Sequence, residues 1–213
     1  MNYSSLDSNF IRKISSDFNY PLKDIKEFAD SMYIPIIKPE VASFLNFIIK
    51  LKKPENILEI GTAIGFSAII MANAYEISNI ITIEKDIERA EIAKDNFKRA
   101  GLSKRIEIIC GDANDVLPNL NKKYDLIFID ASKGHYKEFY QKSMRILNDG
   151  GLFICDNILY KGYVVNEKNV KHKRRTIVYR MREFIETLKS DNSLITTIVP
   201  LGDGLSLSIK EEK

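Results

Sequence analysis

The sequence predicts an α/β fold: an open, doubly wound sheet with helices ahead of it and an antiparallel hairpin closing it. Three observations carry this. Short runs rich in Ile, Leu and Phe, without a polar phase, recur as strands buried on both faces of a parallel sheet do. Amphipathic helical stretches separate them, so the repeating unit is strand–helix–strand. The last helical stretch is followed instead by two strands with turn chemistry between them.

In chain order, the N-terminal segment reads as helical. Residues 6–18 and 22–32 carry short amphipathic patterns, and Pro21 fits the start of the second. Residues 39–52 form a third helix with Pro39 in its first turn and Val41, Phe44, Leu45, Ile48 and Ile49 on one stripe. Strands are expected at Asn56–Ile60, Ile80–Ile83, Ile106–Cys110, Leu126–Ile129 and Leu152–Cys155. Helices over 66–75, 86–100, 113–118 and 134–147 fill the gaps, with Gly101 and Gly150 placed to end two of them. A long helix follows over 173–190, with Ile177, Val178, Met181, Phe184, Ile185 and Leu188 on one stripe. Strands Ile195–Val199 and Leu205–Ile209 flank the turn PLGDG at 200–204. A dinucleotide-binding domain does not usually end on such a hairpin. The class I methyltransferase (Rossmann-like) arrangement does: a seven-stranded, mostly parallel sheet whose last strand is reversed. Residues 1–213 read as one domain, with 1–52 an N-terminal helical segment and 53–213 the Rossmann-like core.

Composition narrows the classes. Of 213 residues, 45% are apolar and 29% charged, which excludes a disordered or collagen-like chain. No apolar run approaches the roughly 20 residues of a membrane helix. The N-terminal stretch lacks the apolar core of a signal peptide, so the expectation is a cytoplasmic protein away from membranes. Cys110 and Cys155 lie in apolar segments and are expected to be buried and reduced. No CxxC suggests a metal or redox site. The net charge of +3 does not by itself point to nucleic acid.

The first strand runs into Glu59-Ile-Gly61-Thr-Ala-Ile-Gly65-Phe-Ser67. Glycines allow a tight turn and close approach of a ligand, and the next helix offers free N–H groups. NAD, a nucleotide or S-adenosylmethionine (SAM) would each fit there, and the G-x-x-x-G spacing leaves the pyrophosphate fingerprint incomplete. Glu84 ends the second strand, where a carboxylate can accept both hydroxyls of a ribose, and Asp112-Ala113 follow the third. Each acid alone could be a surface group or a helix cap. The fourth strand ends in Asp130-Ala-Ser-Lys133 and the fifth in Asp156-Asn157. Asp130, Asp156 and Asn157 offer hard oxygen donors of the kind Mg²⁺ takes. An ammonium beside a divalent cation is pushed toward its neutral form, so Lys133 could take a proton from a hydroxyl. His135, Tyr136, Tyr160 and Tyr163 lie in flanking loops that could wall a substrate pocket, and His135 and His172 are given no chemical role.

The segments LEIGTAIGFSA, TIEK, GDA, FIDASKGHY, DNILYKGYV and PLGDGLSLS together resemble the cation-dependent O-methyltransferase family, which includes catechol and caffeoyl-CoA methyltransferases. The resemblance spans residues 30–210. It is greatest to the bacterial branch that methylates 5-hydroxyuridine in the tRNA anticodon loop. It implies that Ile37, Ser67, Glu84, Asp112, Ala113 and Asp130 contact SAM. It further implies that Asp130, Asp156 and Asn157 hold Mg²⁺, that Lys133 sits at the reacting hydroxyl, and that the protein is a homodimer. Substrate choice would lie in residues 1–30 and 158–175. Catechols and 5-hydroxyuridine share one feature, a hydroxyl beside a second oxygen, which one cation can chelate.

Seven basic residues and no acid occupy 168–182: Lys168, Lys171, Lys173, Arg174, Arg175, Arg180 and Arg182. Such a run is usually a solvated helix face. Here it sits at a helix N-terminus, where positive charge opposes the macrodipole at a cost of ~0.3–1 kcal/mol per charge. It also follows Lys161, in the loop after Asp156-Asn157. The expectation is an RNA-binding rim of Lys161, Lys173, Arg174 and Arg175, with the tRNA anticodon stem-loop as partner. The competing readings are an O-methyltransferase of a small catechol-like or CoA-linked substrate, and a non-catalytic SAM-binding RNA-binding module.

Overall fold

A computed structural model describes residues 10, 13–15, 23–165, 170 and 172–212. Most of the helix expected over 6–18, along with Pro21, Lys168 and Lys171, lies outside the described residues. Helices α1 (Lys23–Ser31) and α2 (Pro39–Lys52) lead into a seven-stranded sheet. The alternation is β1 (Asn56–Ile60), α3 (Phe66–Ala74), β2 (Asn79–Glu84), α4 (Ile87–Arg99), β3 (Ile106–Cys110), α5 (Ala113–Val116), β4 (Tyr124–Ile129), α6 (Tyr136–Ser143) and β5 (Leu147–Cys155). Then come α7 (His172–Ser190), β6 (Leu194–Val199) and β7 (Leu205–Lys210).

The sheet order is β3-β2-β1-β4-β5-β7-β6. The first five strands are parallel, and β7 runs antiparallel to both β5 and β6. The chain leaves β1 in one direction through β2 and β3, then returns to the other side with β4. The carboxyl ends of β1 and β4 therefore diverge at a topological switch point, where α/β sheets bind ligands. Because β7 is reversed, the β6–β7 turn lies at this same edge.

Two cores lie on the two faces. One packs Val41, Leu45 and Ile49 of α2, α3, and Phe97 of α4 against Ile57 and Phe128. The other packs Tyr136, Phe139, Met181 and Phe184 of α6 and α7 against Leu58, Ile60 and Ile127. Neighbouring strand residues alternate between the two, as the pleat requires. Helix ends follow their local chemistry. Pro39 opens α2, Asp86 caps α4 by accepting from Arg89 N at 3.1 Å, and Gly101 (φ +71°) closes α4. The closing bonds, Gly101 N to Lys98 O and Leu102 N to Phe97 O, form a Schellman motif.

Four expectations are corrected. The helix expected to 147 stops at Ser143, and β5 begins at Leu147, five residues before the expected Leu152. Gly150 (φ +69°) ends no helix; it lies in an irregular stretch of β5, between the Leu147↔Tyr124 and Leu152↔Leu126 pairings. Cys155 is buried as expected, but Cys110 ends the edge strand β3 and is exposed. Tyr136 is not in a loop: it begins α6 and is 1% exposed.

Candidate active site

A cavity of about 550 Å³ opens over the carboxyl ends of β1, β2, β3, β4 and β5, within the size range of small-molecule sites. Its walls bring together Ile37, Gly61, Ser67, Glu84, Asp112, Ala113, Asp130, Lys133, Asp156 and Asn157. Glu59 is not among them. It is fully buried beneath the glycine turn, where it accepts from Ser67 Oγ and Thr82 Oγ1, both at 2.5 Å. Burial, chiefly, pushes its carboxyl up to about 7 against these two bonds. Its place in the motif is explained by holding Ser67, which does face the cavity.

The glycine turn is fixed by close contacts. Gly61 has φ +102°, and a Cβ there would stand 2.2 Å from the Asp130 carbonyl oxygen, so only glycine lets the turns after β1 and β4 touch. Gly65 (φ +86°) caps α3 against the Phe97 ring, where a Cβ would come within 2.4 Å. Glu84, 9% exposed, accepts from Ala63 N at 2.8 Å and Asp86 N at 3.0 Å. Each of its oxygens keeps a further lone pair for a ligand. Asp112 caps α5, accepting from Asn114 N at 2.8 Å, and also lines the cavity. The cap and the ligand contact are thus compatible roles for one carboxylate.

Asp130 and Asp156 follow the paired residues Ile129 and Cys155 on adjacent strands. Their carboxyls are side by side and largely out of water. Burial pushes Asp156 up to about 7, the Asp130 charge adds to this, and Asp130 is itself raised by burial. Asn157, with φ +62°, turns its amide back to donate from Nδ2 to Asp130 Oδ1 at 2.7 Å, while its backbone N donates to Asp156 Oδ1 at 2.6 Å. Rotated over, the same amide offers its oxygen. Two crowded carboxylates and one amide oxygen fit a hard divalent cation, which would relieve the repulsion that raises them. Among the described residues no group of three or more His, Cys, Asp or Glu side chains is arranged to hold a metal ion, so the donor set is two carboxylates with the Asn157 amide.

Lys133 opens a short 3-10 turn (Lys133–His135) after β4, and its Nζ lies 6.0 Å from the Tyr160 ring centroid. Tyr160 packs edge-on to Tyr163 at 5.7 Å, and Arg174 lies 5.2 Å above the Tyr163 ring while donating to its hydroxyl at 2.7 Å. The loop reaches this shape through three successive left-handed residues, Tyr160, Lys161 and Gly162. It is pinned by Lys161 N donating to Asp203 Oδ1 at 2.6 Å.

Lys161, Lys173 and Arg175 are exposed and do not line the cavity. The basic run is not one solvated face. Arg174 is held by Tyr163, Arg180 donates to the Gly134 carbonyl at 3.0 Å, and Arg182 donates to the Val164 carbonyl at 2.9 and 2.6 Å. Of the flanking side chains expected to wall the pocket, His135 lines the cavity; Tyr160 and Tyr163 do not, because they pack on each other and on Arg174, and Tyr136 sits beneath it and donates to the Asp156 carbonyl at 3.0 Å.

Sequence reasoning missed Lys38 and Asp203, both in the cavity wall. The Asp203 turn was legible as a turn. Its place at the cavity depends on the reversal of β7, which residue spacing does not specify.

Residues 12–211 match the family model described as O-methyltransferase. A catechol O-methyltransferase from Niastella koreensis is 34% identical over 183 residues, 81% of each chain. A solved structure of a provisionally named caffeoyl-CoA O-methyltransferase from Staphylococcus aureus is 31% identical, with a TM-score of 0.91 over 96% of this chain and 99% of that one. An O-methyltransferase from Bacillus cereus, solved in complex with SAH, is 25% identical, with a TM-score of 0.84 over 95% and 97%.

Proposed function

This chain belongs to the O-methyltransferase family, and on that premise we propose that it transfers the methyl group of SAM, with Mg²⁺, to the 5-hydroxyl of 5-hydroxyuridine in a tRNA anticodon loop. The observation that carries the RNA part is the continuous contact Lys133–Tyr160–Tyr163–Arg174. It sets the basic first turn of α7 beside the loop that packs against Lys133 at the edge of the cavity. The Bacillus cereus relative was solved in complex with SAH, the product that SAM leaves after methyl transfer, which supports the cofactor.

In this reading Glu84 receives the ribose hydroxyls, Asp112 and Ala113 the adenine, and Ser67 with Ile37 the methionine end. Asp130, Asp156 and Asn157 would hold Mg²⁺, which when bound would lower the pKa of the acceptor hydroxyl. Lys133 takes the hydroxyl proton. The oxygen–methyl bond then forms as the methyl–sulfur bond breaks, leaving S-adenosylhomocysteine. Glycine turn and strand ends contribute mainly position, holding donor and acceptor in line. Reaching this crevice requires the nucleotide to be splayed from its stack. A homodimer belongs to the same reading. Phe47 and Leu51, one turn apart on α2, leave apolar surface exposed that a second copy would cover.

A second reading, a small catechol-like acceptor, is favoured by the Niastella koreensis relative. One experiment separates them. The protein is incubated with SAM and Mg²⁺, with and without EDTA, against catechol and against tRNA containing 5-hydroxyuridine, and products are read by mass spectrometry. EDTA-sensitive 5-methoxyuridine is expected. Methylation of catechol alone moves the substrate to the second reading, and no product with either overturns both.

A further inference from the structure

Lys38 ends the extended segment that forms one wall of the cavity and caps α2, with φ −69° and ψ 153°. Its carbonyl accepts from Ala42 N at 2.9 Å, which fixes the backbone from which the side chain departs. The stem passes Gly202 (φ +65°) in the β6–β7 turn. A Cβ at Gly202 would stand 2.6 Å from Val41 Cγ2, 3.9 Å from Lys38 Cδ and 4.0 Å from Asp156 Oδ1. The lysine stem and the Asp156 carboxylate thus approach one point, and glycine keeps it open. The turn itself is held by Asp203 against the Tyr160–Lys161 backbone.

The charge balance at this end is unusual. Lys38 is half-buried, and among the described residues its ammonium has no hydrogen-bond or ion-pair partner. Its charge draws the raised Asp156 carboxyl back down, as Lys133 does from the opposite wall. With Asp130 and Asp156 alone, two ammonium groups balance two carboxylates. A divalent cation on those carboxylates leaves both lysines facing a pair that is already neutralised, while the third carboxylate of this wall, Asp203, is engaged by the Lys161 N–H. A half-buried ammonium in that setting lacks compensation until an electron-rich ligand arrives.

Resting on the functional reading above, we propose that Lys38 is an acceptor-binding residue: its ammonium donates to the second oxygen of the acceptor's adjacent pair, the one not methylated. Lys133 and Lys38 then divide the pair between them, Lys133 at the attacked oxygen and Lys38 at its neighbour. An acceptor without the neighbouring oxygen leaves Lys38 unpartnered, which makes this side chain a determinant of specificity.

The test compares wild type with Lys38→Met, which keeps the stem, and Lys38→Arg, which keeps the charge. The probes are 4-nitrocatechol, a coloured adjacent diol, titrated spectroscopically in Mg²⁺; SAM, by calorimetry; and Mn²⁺, by electron paramagnetic resonance. Lys38→Met is expected to weaken 4-nitrocatechol about tenfold or more, as loss of a charge-assisted bond does, and to leave SAM affinity within about twofold. It is expected to tighten Mn²⁺ about two- to fivefold, because a positive charge near Asp156 is gone. Lys38→Arg is expected to restore most of the diol affinity. Unchanged 4-nitrocatechol affinity overturns the proposal, as does a loss confined to SAM. Weakened Mn²⁺ binding also overturns it, because Lys38 would then merely hold Asp156 in shape. Failure of the wild type to bind 4-nitrocatechol in Mg²⁺ overturns the proposal's premise that this site takes an adjacent oxygen pair, whereas the functional reading itself falls only if the assay above yields no 5-methoxyuridine, a separate result.

Discussion

Glu59 shows how a residue can belong to a motif without touching what the motif binds. Its carboxyl is sealed under the glycine turn by Ser67 and Thr82, and Thr82 in turn lies 2.6 Å from Thr62. Burial raises its pKa from 4.5 to about 7 in the folded protein. The folded state therefore holds a proton on Glu59 that the unfolded chain has already lost. The stability this contributes is full below about pH 4.5 and disappears as pH rises through about 7, a swing of the order of 3 kcal/mol. Asp156 acts in the same direction, so the wild-type slope is not due to Glu59 alone. Glu59→Gln resembles the protonated form at every pH. Relative to wild type, its stability is expected to improve as pH rises from 4 to 8, read by urea unfolding at each pH. Parallel pH profiles for the two proteins would show that Glu59 does not titrate in this window. Most of the site residues were legible because they follow strand ends directly, as Glu84, Asp112, Asp130 and Asp156 do: local sequence places them at the crevice. Lys38 and Asp203 were not, because the approach to α2 and the reversed β7 bring them there through packing across the sheet.

At the level of elements, α7 braces the turn that carries Lys133. Arg180 donates to the Gly134 carbonyl, Lys137 pairs with Glu183 at 2.6 Å, and Phe184 meets the Tyr136 ring edge-on at 5.6 Å. The Lys137–Glu183 pair is substantially exposed and contributes little. The Arg180 bond is different, since it fixes a carbonyl one residue from Lys133, the proton acceptor proposed above. Arg180→Ala is expected to lower kcat several-fold while leaving SAM affinity and Tm nearly unchanged, because a short 3-10 turn loosens without a core being opened. A rise in KM for tRNA with kcat intact would instead make Arg180 an RNA contact. The sequence could not separate these roles, because an arginine that bonds a carbonyl and one that faces water carry the same letter. Strand and helix identities were legible from apolar runs and caps, as in α2 and β1. The start of β5 was not: Asn148-Asp-Gly-Gly151 reads as a break, yet β4 continues to pair across the irregularity at Leu147.

For the whole molecule, the question is how much of the basic charge remains to meet a polyanion. Net charge is only +3, so a steering field must come from local placement. Within the described residues of α7, Arg174, Arg180 and Arg182 already hold protein groups, whereas Lys173 and Arg175 are exposed in the first turn. Positive charge at a helix N-terminus lowers stability through the macrodipole, by ~0.3–1 kcal/mol per charge. Reversing it should therefore stabilise the helix even as it removes RNA contacts. Lys173→Glu with Arg175→Glu is expected to raise Tm slightly, leave SAM binding unchanged, and weaken tRNA binding at least tenfold. The dependence of log K on log salt should become shallower by about 1.5 to 2, the change for two lost phosphate contacts. Filter binding across a salt series reads this directly. The opposed signs separate the outcomes: a protein that is more stable but binds RNA as before has an ordinary solvated helix face, and Lys173 and Arg175 form no RNA-binding rim. Lower stability would mean that these two side chains, like Arg174, hold the Tyr160–Tyr163 loop over Lys133.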